Sequence, residues 1–60
     1  MDREYDIFEK YANGQVVWRM VVKGRDQSLE ALRRLAKTSS NELFAMHLPT
    51  KEIIRTLNEK

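Results

Sequence analysis

Tyr5-Asp6-Ile7-Phe8-Glu9-Lys10-Tyr11-Ala12-Asn13-Gly14-Gln15-Val16-Val17-Trp18-Arg19-Met20-Val21-Val22 is the stretch that decides the fold of this chain. Two runs rich in β-branched and aromatic residues flank Asn13-Gly14. That dipeptide suits a two-residue type I′ hairpin turn, because both central positions need positive φ. With Asn13 and Gly14 as the loop, Ala12 faces Gln15, Tyr11 faces Val16, Glu9 faces Trp18, Ile7 faces Met20 and Tyr5 faces Val22. Paired residues share one face of the sheet, and the face alternates along each strand. This register predicts a core face of Tyr5, Ile7, Tyr11, Val16, Trp18, Met20 and Val22, with Glu9 as its polar exception. The opposite face holds Asp6, Phe8, Lys10, Val17, Arg19, Val21 and Lys23 and is expected to be mostly wet. A slip of one residue scatters both sets.

Gly24 is expected to end the second strand. Leu29, Leu32, Leu35 and Ala36 then recur at helical spacing, which predicts an amphipathic helix. Asp26 is the expected N-cap, with Ser28 as second choice, and Glu30 and Arg34 are placed to pair at i,i+4. Thr38-Ser39-Ser40-Asn41 ends the helix with side chains that compete for backbone hydrogen bonds.

Glu42–Leu48 reads as a strand with Phe44, Met46 and Leu48 on one face, because the residue before Pro49 disfavours helix. Leu48-Pro49-Thr50-Lys51-Glu52 reads as a hairpin turn with proline at the second position of a type I turn. Lys51 then takes the left-handed position that glycine usually fills, at a cost of about 1 kcal/mol. The other reading of residues 50–60 is a short terminal helix capped by Thr50, with Ile53, Ile54 and Leu57 inward. The expected architecture is α+β: a β-β-α-β-β two-layer sandwich with an antiparallel sheet and one helix. The alternative is a β-hairpin followed by two or three helices.

Sixty residues make a single small domain, 1–60, with room for one modest core. Without cysteine, neither disulfides nor thiolate metal sites are available. Self-association would relieve the small core by burying more apolar surface. Met1-Asp2-Arg3-Glu4 is acidic and polar, unlike a secretory leader. Arg19 and Lys23 interrupt the longest apolar runs well short of the ~20 residues that a membrane span needs. A cytoplasmic location is expected. The net charge of +2 is uneven, with residues 11–40 the one basic region. That excess is too modest to signal nucleic-acid binding on its own.

His47 is the one histidine. A catalytic reading pairs it with Glu42 or Glu52, but no serine motif or metal-spaced cluster accompanies it. If its segment is a strand, His47 points away from Phe44 and Met46, towards the wet face, in a structural role. Arg33, Arg34 and Lys37 lie opposite the leucines, with Arg25 near the helix start. They are candidate phosphate contacts, or simply a solvated helix face. Lys10, Arg19 and Lys23 make a second basic group beside Phe8. Aromatics on a basic sheet stack single-stranded RNA in several modules, yet this register leaves Phe8 as the one outward aromatic. Trp18 reads as a core anchor, and Met20 and Met46 as core filler. Phe8, Val17 and Val21, with Arg19 beside them, form a candidate interaction surface.

Val17-Trp18-Arg19, the Leu29–Ala36 helix and, above all, Asn41-Glu42-Leu43-Phe44-Ala45-Met46-His47-Leu48-Pro49-Thr50-Lys51-Glu52-Ile53 resemble a group of short, uncharacterised bacterial proteins. The likeness spans nearly the whole chain, and its final stretch is the specific part. It implies a small stand-alone bacterial protein and carries no catalytic residue with it. The function expected from the residues is a small non-enzymatic protein-interaction module, self-associating through its sheet, with no cofactor and no small-molecule substrate. The alternative is a weak nucleic-acid binder that uses a basic helix or sheet face.

Overall fold

A computed structural model of the chain describes residues 3–55. The other reading of residues 50–60, a terminal helix, is corrected as far as it is described, since Glu52–Arg55 is a strand paired with Glu42–His47; Leu57 lies outside the described residues. The elements are β1 (Glu4–Lys10), β2 (Val16–Lys23), α1 (Arg25–Thr38), β3 (Glu42–His47) and β4 (Glu52–Arg55). This is the expected β-β-α-β-β order. The four strands form one antiparallel-paired sheet in the order β2-β1-β3-β4, so the α1 crossover carries the chain past β1 to reach its far side.

The helix covers one face of the sheet. Leu32 is buried against Tyr5 and Ile7 of β1, Leu43 and Ala45 of β3, and Ile54 of β4. Met20, Val22, Leu29, Ala31, Leu35 and Ala36 close the margins of this core. The helix begins earlier than its apolar spacing suggested, because Gly24 occupies the N-cap position in place of Asp26 or Ser28. Ser28 instead stands one turn inside the helix, fully buried, and its hydroxyl donates to the Gly24 carbonyl at 2.9 Å. Gly24 has φ of 89° and ψ of 145°, close to a region that essentially glycine alone populates and where another residue is strained by about 1–3 kcal/mol.

Both hairpin turns are informative. At the second, Lys51 stands at φ 61°, the left-handed position expected for it, and its amide donates to the His47 carbonyl. At the first, Asn13-Gly14 is not a two-residue type I′ loop. The Gly14 amide donates to the Tyr11 carbonyl at 2.9 Å, and the Tyr11 amide donates to the Gln15 carbonyl at 2.8 Å. Gly14 has φ of 93° while Asn13 keeps a negative φ. The loop is therefore Ala12-Asn13-Gly14, a type I turn followed by a left-handed glycine. The Asn13 side-chain oxygen accepts from the Gln15 amide at 2.9 Å, the local bond by which asparagine stabilises turns.

The extra loop residue moves the register by one near the turn: Lys10 faces Val16, Glu9 faces Val17 and Phe8 faces Trp18. A β-bulge at Arg19 then cancels the shift, so Ile7 faces Met20 and Tyr5 faces Val22 as the simple hairpin predicts. Between turn and bulge the expected faces are exchanged. Trp18 leaves the core for the outer face and is 56% exposed, and Tyr11 and Val16 are exposed as well. Val17 turns towards the helix side. The inserted loop residue corrects the expected face of Val16, Val17 and Trp18, while Tyr11 keeps its face and is exposed beyond the end of β1.

Lys51→Gly is expected to raise the thermal midpoint by several degrees, corresponding to about 1 kcal/mol of relieved left-handed strain. Gly14→Ala is expected to lower stability by a similar amount, although space around Gly14 is open. Thermal denaturation followed by circular dichroism measures both.

Candidate interaction surface

The face of the sheet turned away from α1 carries rows of side chains that the ladder registers place side by side. One row crosses all four strands: Trp18 faces Phe8, Phe8 faces Phe44, and Phe44 faces Arg55. The Phe8 and Phe44 rings stack with centroids 5.3 Å apart at 24°. The Arg55 guanidinium lies over the Phe44 ring at 5.9 Å, within cation–π range. The neighbouring row runs Val21, Asp6, Met46, Ile53. Trp18, Val16, Val21 and Ile53 all rank among the exposed large apolar residues. A soluble domain rarely leaves so continuous an apolar stripe to water without a use for it.

Among the described residues the charges on this face balance. Glu4, Asp6 and Glu42 stand against Lys10, Lys23 and Arg55. Arg55 also binds Glu42 at 2.7 Å, which fixes the guanidinium above Phe44.

Of the expected surface residues, Phe8 and Val21 lie on this face, and Val17 and Arg19 do not. Val17 shares the helix-side face with Glu9. Arg19, in the bulge, turns its guanidinium to the Glu9 carboxylate. Trp18, Phe44, Met46 and Ile53 are the surface residues that sequence reasoning missed. For β3 the difficulty was one of phase: Leu43 and Ala45 alternate with Phe44 and Met46, and both pairs are apolar. Pairing with β1 decides it, since Leu43 faces Glu9 and Ala45 faces Ile7 on the covered side. Met46 is accordingly not core filler.

Glu9 lies on the helix-side face and is only 3% exposed. It accepts from the Ser39 hydroxyl at 2.5 Å, from the Asn41 side-chain amide at 2.8 Å, and from Arg19. The bonds from Ser39 and Asn41 hold its carboxyl below the ordinary glutamate range; burial opposes them, and Arg19 adds to the lowering. One carboxylate thereby joins β1, the β2 bulge and the loop between α1 and β3. The polar exception on the core face is thus a junction with every partner satisfied.

At the opposite end of the sheet, Glu52 accepts from Arg3 at 2.7 Å, Arg25 at 3.2 Å and Tyr5 at 3.3 Å. His47 faces Glu52 in the β3–β4 ladder and so points to the helix side, not to the open face expected for it. Its ring lies 5.7 Å from Tyr5, and its Nδ1 is 2.8 Å from the Thr50 hydroxyl. Glu42, the other carboxylate weighed with it, sits at the far end of the strand. These bonds tie the second hairpin to the helix start. On the helix, Arg33 and Arg34 share Glu30 at 3.9 and 4.0 Å, and both arginines are largely solvated. Lys37 is exposed in the last turn.

Among the described residues no group of three or more histidine, cysteine or acidic side chains is placed to hold a metal. No described helix is long and apolar enough to cross a membrane. Comparison of the chain with protein-family models, curated proteins and solved structures finds no match.

The lowered Glu9 pKa carries a signed pH dependence. Its contribution to stability is complete above the pKa it has in the unfolded chain and is lost as pH falls through the lower folded value. Denaturant titrations from neutral to strongly acidic pH are expected to show this acid loss in the wild type. Glu9→Gln is expected to be less stable at neutral pH and to flatten that part of the profile.

Proposed function

We propose that this chain is a small non-enzymatic interaction module that self-associates through the open face of its sheet. The observation that carries the reading is the Trp18–Phe8–Phe44–Arg55 row, three aromatics on three neighbouring strands ended by an arginine on the fourth, on the uncovered face. A second copy suits this face better than other occupants because the six charges cancel, so two copies meet without net repulsion. A nucleic acid would require a positive excess there, and a strongly charged protein would require an imbalance of one sign. Two sheets packed face to face with aligned strands make a familiar layered core.

The size of the face sets the expected strength. Four strands at ~4.8 Å spacing and about six residues of length give a patch of roughly 20 by 20 Å. Two such patches bring together about 800 Å² of flat area, below the ~1,200 Å² of stable specific interfaces and in the range of weak, transient contacts. The association expected from such a face is weak and reversible. The chain's small core gains from the same contact, since association covers apolar groups that one helix leaves wet. A bacterial, cytoplasmic setting accords with the resemblance of Asn41–Ile53 to short bacterial proteins.

Sedimentation equilibrium from about 1 to 200 μM tests the proposal. A monomer–dimer equilibrium is expected for the wild type, a monomer throughout for Phe44→Glu, and wild-type behaviour for Lys37→Glu on the opposite side. A wild-type monomer at every concentration would overturn the reading. The nucleic-acid alternative, through Arg33, Arg34 and Lys37, predicts a shift with RNA or DNA at low salt that fades steeply as salt rises.

A further inference from the structure

We propose that residues 8–19 have two accessible registers and that Glu9 selects the one that builds the self-association face. The inference deepens the self-association reading and rests on it. Its basis is that the same hairpin satisfies two pairing schemes with identical outer ends. Tyr5–Val22 and Ile7–Met20 are paired in the structure, and they are equally paired in a hairpin closed by a two-residue Asn13-Gly14 loop. The schemes differ between turn and bulge. In the observed one, Ala12 joins the loop and Arg19 is extruded as the bulge. In the other, Ala12 returns to the ladder, Arg19 enters it opposite Phe8, and Trp18 faces Glu9 on the helix side.

The bulge-free scheme has local chemistry in its favour. Asn-Gly is the preferred pair for a two-residue turn, and no residue is left out of the ladder. What opposes it is the Glu9 junction. A bulge-free Arg19 lies on the open face, across the sheet from Glu9, and the ion pair between them is lost. Glu9 stays on the covered side in both schemes, so it would keep the Ser39 and Asn41 bonds but lose its cationic partner, a cost for a buried carboxylate. The charged groups that bear on this site are Glu9 of β1 and Arg19 of β2. The loop after α1 contributes the neutral Ser39 and Asn41, and β3 contributes the apolar Leu43. The ion pair therefore belongs to one register alone and acts as its lock.

The consequence for the face is specific. Re-registering exchanges Trp18 for Arg19 beside Phe8, which shortens the aromatic row and turns a neutral surface net positive. Two copies then lose contact area and repel. A change in residues 8–19 is thus converted into a change of assembly state with the rest of the sheet undisturbed.

Nuclear magnetic resonance reads the register directly, whether or not the copies associate, so failure here is distinct from failure of self-association. The wild type at neutral pH is expected to show cross-strand contacts between Trp18 and Phe8. Glu9→Val, which removes the lock with a good strand former, is expected to move Trp18 opposite position 9 and to weaken association at least tenfold by sedimentation. Deleting Ala12 as well leaves Tyr11 opposite Gln15 around a two-residue loop, and is expected to restore the Trp18–Phe8 contact and the association. If Glu9→Val keeps the Trp18–Phe8 contact, the proposal is wrong. If it does not fold, Asn13→Gly serves instead. That substitution removes the Asn13–Gln15 bond of the three-residue loop and lets position 13 take the positive φ of a two-residue turn, while keeping Glu9. Two exchanging sets of resonances are expected from it, and a single observed register would equally overturn the proposal.

Discussion

A single buried carboxylate organises this small domain. Glu9 stands where an apolar residue would ordinarily fill the core face, and an ionised group there is tolerated only when its lone pairs are satisfied. Arg19 of the β2 bulge, and Ser39 and Asn41 of the loop after α1, supply those partners from two separate pieces of chain. To reach Glu9, Arg19 must come from a bulge, and the bulge turns Trp18 outward beside Phe8. The loop entering β3 is held by the same carboxylate, which fixes β3 against β1 and places Phe44 next to Phe8. The open aromatic row is thus linked to the polar junction on the other side of the sheet.

The two ends of the sheet divide the polar work. Glu9 binds together the first hairpin and the helix exit. Glu52, with Arg3, Arg25 and Tyr5, gathers the second hairpin and the helix entry. The Glu52 bonds are more solvated, and exposed ion pairs contribute little each, whereas Glu9 is shielded and single-handedly bridges three elements. Between these ends the fully buried apolar core is six side chains among the described residues, and covering the open face would bury more.

Much of this was legible in the residues. Leucine spacing located the helix, and Leu48-Pro49 with Lys51 located a hairpin whose left-handed lysine is found where a turn of that length needs it. Ile7–Met20 and Tyr5–Val22 follow from simple counting around Asn13-Gly14. The middle of that hairpin was not legible, because two one-residue displacements cancel and leave the outer pairs unchanged. Nothing local to Ala12 or Arg19 announces them; the cause is Glu9, whose partners Ser39 and Asn41 lie some thirty residues away. The phase of β3 was likewise hidden, since Leu43-Phe44-Ala45-Met46 is apolar on both faces. Ala45, fully buried opposite Ile7, shows which phase the strand takes. The candidate surface moved with these corrections, keeping Phe8 and Val21, losing Val17 and Arg19, and gaining Trp18 and Phe44.

Trp18 is the one tryptophan of the chain, and its fluorescence tests the central claim most directly. Emission and iodide quenching measured across concentration are expected to show a water-exposed indole at high dilution. As copies associate, the emission should shift to the blue and quenching should fall. An indole already blue-shifted and protected at the highest dilution would place Trp18 in the core and contradict the bulged register. An indole that stays exposed at every concentration would contradict the role of the open face.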